Sequence, residues 1–489
     1  MSNRGRQILV YFLGSILLAE SPITQSQTDT TPQESDNFGE FSFDDEFFEL
    51  SFDDNSKQNE YSWKDDFTVR VSQLLFGQIN NHQVEPIPGY KYLKKSAVEN
   101  NRTGVNVRYQ SAFAPGWLVQ ASWQGRLYWK EDYEYEENND SVGDEYRINE
   151  LFLQASFDKH SLKLGRQTIV WGETVGNSVL DVINHNEYRD FTIIDTEDTR
   201  LNQWMLVWDT FGTSGNWSTF INLYPEFNPK PIKGGPFEFD LSYRPGKLER
   251  GDRPLFEAGT KWQQSWEATD LAIMAAYLYE NQLRYKSQMF LGETVDAIKN
   301  DFLLLGLSVN RATGKLLFNL DIVLNHGLLI DNSTFVGSGI LGGVSADLKR
   351  DQLGASFGIE YGINNYQNIS ISIRAKKMIN ERKGLTDKDV LINEGVYGSW
   401  LMRYTNRVSN DDIELSATLQ GDLKGAAVLM MLGSTYAVND NWKVGLQALS
   451  IYANSSSELN FFKDDIRLGA TVTYSCLLYT SDAADDANC

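Results

Sequence analysis

From residue 67 to residue 475, apolar and polar positions alternate with a period of two. Ile466, Leu468, Ala470, Val472 and Tyr474 alternate with Arg467, Gly469, Thr471 and Thr473. Ile413, Leu415, Ala417 and Leu419 alternate with Asp412, Glu414, Ser416 and Thr418. Leu353, Ala355, Phe357, Ile359 and Tyr361 do the same with Gly354, Ser356, Gly358 and Glu360. Successive strand side chains point to opposite faces, so this is the pattern of strands with one apolar and one polar face, not of helices. It predicts strands from 67–80 to 465–475, with 160–172 as the fifth. The connections alternate in length. Short turns fall at 115, 158–160, 213–214, 268, 313–314, 365–367 and 439–441. Longer loops fall at 81–102, 131–145, 173–201, 226–255, 283–300, 331–351, 380–393 and 454–464. Only the connection near Lys424 is short where a long one is due. Short turns on one side and long loops on the other mark a transmembrane β-barrel, and a soluble sandwich has no reason to show them. The predicted fold is all-β, an antiparallel outer-membrane barrel of about 18 strands (16–18) with short periplasmic turns and long extracellular loops.

Aromatic positions fit this reading. Trp117, Trp123 and Trp129 share the apolar face of one segment, and Trp204 and Trp208 that of another. Tyr277, Tyr279, Trp400 and Tyr404 are further candidates for the membrane interfaces, where amphipathic rings are favoured. Mean hydropathy is negative at -0.39, and after the N-terminus no apolar run is long enough for a transmembrane helix. A barrel escapes that test because only every second residue faces lipid.

The first residues read as a secretory signal: Arg4 and Arg6, an apolar stretch from Ile8 to Leu18, then small or polar residues from Ala19 to Ser26. The expected organisation is a signal peptide over 1–26, an acidic and aromatic periplasmic leader over 27–62, and the barrel over 63–475. The leader carries a near-repeat, Phe41-Ser42-Phe43-Asp44-Asp45 and Leu50-Ser51-Phe52-Asp53-Asp54. Its composition favours a disordered segment. The sharper reading is a docking peptide with Phe43, Phe47, Phe48 and Phe52 as anchors. Both cysteines, Cys476 and Cys489, lie in the last 14 residues of the 489-residue chain, and 476–489 reads as a translated sequencing adapter. The native barrel is then expected to end near Ser475 without cysteine, which suits an oxidising periplasm. The net charge of -22 is concentrated in the leader and long loops, so it says little about the barrel interior and argues against nucleic-acid binding.

Alternation assigns charged residues to the lumen. The basic candidates are Arg70, Arg108, Arg126, Lys261, Arg374, Lys376, Arg403 and Arg467, and the acidic ones are Glu150, Glu257, Asp321, Glu360, Asp412 and Glu414. Facing charges of both signs orient polar solutes in a pore; they also build salt-bridge ladders that hold a wall, and the pattern alone does not separate the two. Arg166 is in phase with lipid-facing Leu162 and Leu164. An arginine at the bilayer midplane costs roughly 2–4 kcal/mol, so a bulge near Gly165 or a position above the hydrocarbon is expected. The loop 173–201 carries Val179, Leu180, Val182, Ile183, Ile193 and Ile194, which are poorly placed in water. It is expected to enter the lumen, lining a gap with Asp181, Asn184, Asn186, Glu187 and Arg189, or else to cap the rim. Arg166 would anchor it by pairing with Glu173, Asp181 or Glu187.

The segment Leu164-Gly165-Arg166-Gln167-Thr168-Ile169-Val170-Trp171-Gly172-Glu173, followed by Asp181-Val182-Ile183-Asn184, resembles a family of uncharacterised proteobacterial outer-membrane barrels. That family is known by a Gly-Arg-Gln…Trp-Gly-Glu signature and designated a domain of unknown function. The resemblance covers most of the chain after residue 60 and implies a barrel. Family members often carry proline after the second motif's asparagine; His185 stands there, which implies a different local turn. Gene neighbourhoods with inner-membrane transporters of the resistance-nodulation-division type imply a link to export, without a substrate.

Enzyme signals are poor. Four histidines, His82, His160, His185 and His326, have no partner that the sequence places beside them, and no metal spacing, phosphate loop or nucleophile motif occurs. The expected protein is a non-enzymatic, cofactor-free channel in the outer membrane of a Gram-negative bacterium. The alternative is an accessory part of an export system with a periplasmic or inner-membrane transporter partner. Expected surroundings are outer-membrane lipid and lipopolysaccharide, with the barrel assembly machinery as insertion partner.

Overall fold

The alternating segments fold as strands because each can turn its apolar face outward only if its backbone groups pair sideways in a closed sheet. The computed structural model describes residues 67–87, 90–129, 132, 142–187, 189, 199–229, 255–282, 284–286, 296–332, 345–379, 396–409, 411–454 and 457–478. Among these, eighteen strands form the wall. They are β1 (Phe67–Gln78), β2 (Ala97–Ala114), β3 (Trp117–Trp129), β4 (Val142–Phe157), β5 (His160–Gln167), β6 (Gln203–Thr210), β7 (Asn216–Asn222), β8 (Glu257–Trp266) and β9 (Thr269–Tyr279). The other half comprises β10 (Asp301–Thr313), β11 (Leu316–Asn332), β12 (Ser345–Asn364), β13 (Gln367–Ile379), β14 (Val396–Val408), β15 (Ile413–Asp422), β16 (Ala427–Ala437), β17 (Trp442–Ala453) and β18 (Ile466–Leu478). Each pairs antiparallel with its chain neighbours, and β1 closes the ring by pairing with both β2 and β18.

The turns use local chemistry suited to tight reversal. Between β2 and β3, Pro115 precedes Gly116, whose φ of 76° is the conformation a type II turn needs at its second central residue. The connection at 423–426 is short, as the sequence indicated. Several boundaries differ from expectation: β2 starts at Ala97 and β12 at Ser345, inside the expected loops 81–102 and 331–351, and the following differences have local causes. The fifth strand ends at Gln167 rather than at 172, because Gly165 leaves the regular strand conformation and the chain turns into the loop. Asp412 lies exposed in the turn before β15, so it is not a lumen residue. The last strand runs past Ser475 to Leu478, because Cys476 and Leu477 still find partners in Val69 and Thr68 of β1. The signal segment, the leader and residues 479–489 lie outside the described residues.

The outer surface is apolar, with Leu164, Ile273, Leu305, Leu353, Ile371 and Leu446 all between 48 and 60% exposed. Aromatic rings gather towards the strand ends. Phe113, Trp117, Phe157, Trp208, Trp217, Trp266, Tyr366 and Trp442 are exposed towards the short-turn end. Several meet a neighbouring ring at a tilt, as Trp442 does Tyr474 at 4.9 Å between centroids. At the long-loop end Trp123 stacks on Tyr146 at 5.8 Å, and Trp129 and Trp204 are exposed. A closed sheet with an apolar exterior and an aromatic girdle at each end is built to sit in a bilayer, and the protein is an outer-membrane β-barrel of a Gram-negative bacterium.

Candidate functional site: the lumen and its inserted loop

After Gln167 the chain leaves the wall and crosses the barrel interior. Gly165 begins the departure. Its φ is 140°, and a Cβ there would stand 2.0 Å from the Leu151 carbonyl oxygen, so no other residue fits. Strict alternation fails here, and Gly165, Arg166 and Gln167 are all buried. The ladder to β4 is nonetheless unshifted at Gly165. The register shift of this region lies one pair further on, opposite Ala121 and Trp123 of β3. Arg166 donates from Nε to the Ile148 carbonyl at 2.8 Å and grips Glu226 with both terminal nitrogens at 2.6 and 2.9 Å. It is therefore paired and buried rather than lipid-facing, but its partner is not Glu173, Asp181 or Glu187. Glu226 lies closer because it follows β7, next door to β6, and its backbone N–H is held by Gln203 Oε1 at 3.0 Å. The three expected carboxylates lie further along the loop.

The loop is fastened to the far wall by inward-facing groups. The backbone N–H groups of Glu173 and Thr174 donate to Asp321 on β11, each at 3.1 Å. The Ser178 hydroxyl donates to the same carboxylate at 2.7 Å. Val179 N–H donates to Ser356 Oγ on β12 at 3.2 Å. The Ser372 hydroxyl on β13 donates to the Val175 carbonyl at 3.2 Å. On β14, Ser399 exchanges hydrogen bonds with Asn177 at 2.7 and 3.2 Å. Four adjacent strands thus present one carboxylate and three serines to a single loop.

Apolar packing accompanies these bonds. Trp171, Val179, Leu180 and Ile183 are at most 1% exposed and cluster with Met205, Phe220, Met274, Leu278, Leu304 and Val323 on the inward faces of the strands. Wall glycines make room. A Cβ on Gly259 would meet Trp171 at 2.8 Å, one on Gly306 would meet Leu180 at 2.5 Å, and one on Gly354 would meet Val179 at 3.3 Å. The second motif folds the return. Asn184 accepts from the Ile169 N–H and donates to the Ile169 carbonyl, at 3.1 and 2.8 Å. At 1% exposure it holds the loop together and does not line a gap. Asp181 pairs with Arg200 at 2.9 Å, and Gln203 Nε2 donates to the Ile183 carbonyl at 2.9 Å.

The remaining candidates divide into groups. Glu187 and Arg189 pair with each other, and Arg189 also reaches Glu145 on β4 at 2.9 Å. Burial raises the Glu173 carboxyl pKa, with Lys261 opposing. Burial pushes His185 down to about 4 although Glu226 stands 3.5 Å away. Arg467 is fully buried at the outer end of β18 between Asp465 and Glu99, at 2.8 and 2.6 Å. There Asp465 also receives Lys94 and His82 from the first outer loop, at 2.8 and 3.0 Å, so Arg467 belongs to a clasp over the β1–β18 seam. Arg70, Arg108, Arg126, Arg374, Lys376, Arg403 and Glu360 all fall on inward positions of the ladders. Glu360 accepts from Asn319 at 2.9 Å. Sequence reasoning did not single out Glu226, Arg200, Gln203 or the wall glycines. The inward glycines at 259, 306, 354 and 358 were the available signal for a segment packed against that wall.

A protein of unknown function family, DUF1302, matches residues 61–234, a stretch that contains the Gly-Arg-Gln…Trp-Gly-Glu segment and the inserted loop. The expected resemblance to an uncharacterised family holds over that stretch. No curated protein matches the chain in sequence. Similar solved structures include OccAB1 of Acinetobacter baumannii, at 9% identity and a TM-score of 0.48, covering 85% of this chain and 96% of that one. OpdK (OccK1) of Pseudomonas aeruginosa has 9% identity and a TM-score of 0.46, covering 84% and 98%. OmpF of Salmonella typhi has 9% identity and a TM-score of 0.39, covering 84% and 97%. These are likenesses of fold, and the barrel rests on the chain's own strand pairing.

Proposed function

We propose that the protein is a passive channel for small polar solutes whose passage is narrowed by the inserted loop. The observation that carries this reading is the loop's anchorage: Asp321, Ser356, Ser372 and Ser399 bind it, while Val179 and Leu180 are fully buried under it. A barrel of about 18 strands is wide enough for an aqueous lumen, and a segment packed across part of it leaves a smaller opening. The packed part of the loop, residues 171–184, lies against strands between β6 and β14, and its return at Glu187 and Arg189 reaches Arg147 and Glu145 on β4. Inward positions of β1, β2 and β15 remain largely polar, with Arg70, Asn106, Ser416 and Thr418. Apolar loop residues gain by leaving water, and the wall glycines provide the matching recess.

The test is electrical. Replacing residues 175–182 by a short Gly-Ser linker should raise single-channel conductance in planar bilayers and admit larger sugars in liposome swelling. Unchanged conductance and cut-off would show that passage does not depend on the loop.

A further inference from the structure

We propose that the first and last outer loops form a latched lid at the outer mouth, which gates entry along the face of the lumen that the inserted loop leaves open. This inference rests on the channel reading and adds a second, movable barrier to it.

The lid has an apolar seat on the wall. On β17, Leu446 and Tyr452 are exposed and face outward, so Leu449 and Ile451, in the opposite phase, face inward. The ladder pairs them with Met431 and Leu429 of β16. Four apolar side chains thus line the inner wall near its outer end, where they gain by being covered from water. The last outer loop covers them. Ser457 starts a short 3-10 helix, Glu458–Phe462, by accepting from the Leu459 N–H at 3.1 Å. That turn carries Leu459 and Phe462 onto the seat, and Phe462, Leu449 and Ile451 are at most 1% exposed. The hairpin of the first outer loop, His82–Ile87 paired with Tyr90–Lys94, lies against the same helix. Lys94 Nζ stands 4.8 Å from the centre of the Phe462 ring.

One ion cluster latches the two loops together. Asp465, fully buried at the foot of the last loop, accepts from Lys94 of the hairpin and from Arg467 of β18, each at 2.8 Å, with His82 Nε2 3.0 Å away. Glu99 on β2 stands 2.6 Å from the other terminal nitrogen of Arg467. Asn80 ties the two loops through the backbone, donating to the Asp464 carbonyl at 2.6 Å and accepting from the Ile466 N–H at 2.9 Å. Two carboxylates balance two cations, so removing one partner leaves a buried charge uncompensated.

The lid and the inserted loop differ in how they are held. The loop packs into a large apolar cluster and bonds to four wall strands. The lid's seat is a much smaller cluster, and its side-chain hold converges on Asp465. Segments with few buried apolar contacts open first, so the lid is the part that moves. Its place gives that motion a consequence. Below the seat the inward rows turn polar or small, through Gly433, Gln447 and Gly469, beside Ser416 and Thr418 of β15. A solute coming from outside to this face meets the lid before it meets the polar wall.

Two measurements on the full chain test the lid. In detergent micelles, limited trypsin treatment of the folded barrel reads cleavage after Lys95, an exposed residue at the end of the hairpin. Asp465→Asn and, separately, Lys94→Met should each speed that cleavage by about tenfold or more, with the double variant no faster than the faster single one. In planar bilayers both variants should raise, by a similar factor, the time spent at a level above the main wild-type one. Heat-modifiable gel migration checks that the wall is closed. Should Asp465→Asn lose it, Lys94→Met, which lies outside the wall, carries the test. Cleavage unmoved in a folded variant overturns the latch. Faster cleavage with unmoved conductance overturns the gate and leaves the channel reading intact. A wild type that carries no current, while cleavage still follows the latch, overturns the channel reading and keeps the latched lid.

Discussion

Removal of the Asp321 carboxylate tests how the loop is held. That side chain accepts from Glu173 N–H, Thr174 N–H and the Ser178 hydroxyl on the loop, and from the Ser308 hydroxyl on the wall at 2.6 Å. Hydrogen bonds to a charged group contribute roughly 1.5–3 kcal/mol each, and deleting one side of a buried ionic network costs about 3–5 kcal/mol. Asp321→Ala is therefore expected to weaken loop docking by about 3–5 kcal/mol, because three donors on the loop lose their acceptor. Apolar burial acts in the other direction. Trp171, Val179, Leu180 and Ile183 are essentially inaccessible, and side chains of this kind are stabilised by about 1.5–3 kcal/mol each, roughly 6–12 kcal/mol together. Ordering the loop backbone opposes both contributions. Apolar packing exceeds the polar loss, so the loop should remain docked on average, while its excursions become more frequent by roughly two to four orders of magnitude. Single-channel records of Asp321→Ala should thus show flicker between the wild-type level and a larger one, with a mean close to wild type. Records as quiet as the wild type would refute the polar anchor. A permanently enlarged level would refute the claim that apolar contacts dominate.

Arg166→Ala leaves Glu226 without its bidentate partner and should cost about 3–5 kcal/mol of local stability, read as faster protease cleavage within 168–190 of the folded barrel. His185 is neutral when docked because its pKa is about 4 instead of the usual 6.5. Docking should be insensitive above pH 6.5, weaken as pH falls from 6.5 towards 4 as the undocked form takes up the proton, and change no further below that, with a total loss of about 3 kcal/mol. Channel noise should rise over that window in the wild type and stay flat in His185→Gln. Deleting 27–62 behind the signal segment should spare insertion. Loss of a co-purifying periplasmic partner would support the docking reading of the leader, and unchanged transport and association would support the disordered one.

Most of the barrel was legible because the two-residue period is imposed by lipid outside and water inside, and no tertiary contact is needed to see it. Most expected strands coincide with the observed ones within a few residues, from β1 at Phe67 to β17 ending at Ala453, while β2 at Ala97 and β12 at Ser345 reach further into the long-loop side than the alternation indicated. Boundaries failed where another constraint takes over. At Gly165 the chain must leave the wall, so the pattern of the fifth strand overshoots into Thr168–Gly172, whose residues serve the loop. Arg166 could be recognised as misplaced for lipid, because its cost is a local matter. Its partner could not, because Glu226 is 60 residues away and reaches it only through the β6–β7 hairpin. Asp321 was recognisable as inward-facing by phase, while its role as receptor for three loop donors depends on a crossing that phase does not encode.

The Gly-Arg-Gln…Trp-Gly-Glu segment can now be understood as one unit of loop insertion rather than a row of pore-lining groups. Gly165 permits a backbone that other residues would clash with, and Arg166 compensates the break in alternation by burying its charge against Glu226. Gln167 Nε2 caps the Met205 carbonyl at 3.1 Å where the β5–β6 ladder ends. Trp171 fills the recess beside Phe220 with an edge-on ring contact at 5.6 Å. Gly172, at φ 91°, turns the chain so that the next two N–H groups face Asp321. Gly165, Arg166, Gln167, Trp171 and Gly172 are thus each explained by getting the loop from wall to lumen, while Glu173 gives its N–H to Asp321 and keeps a partly exposed side chain.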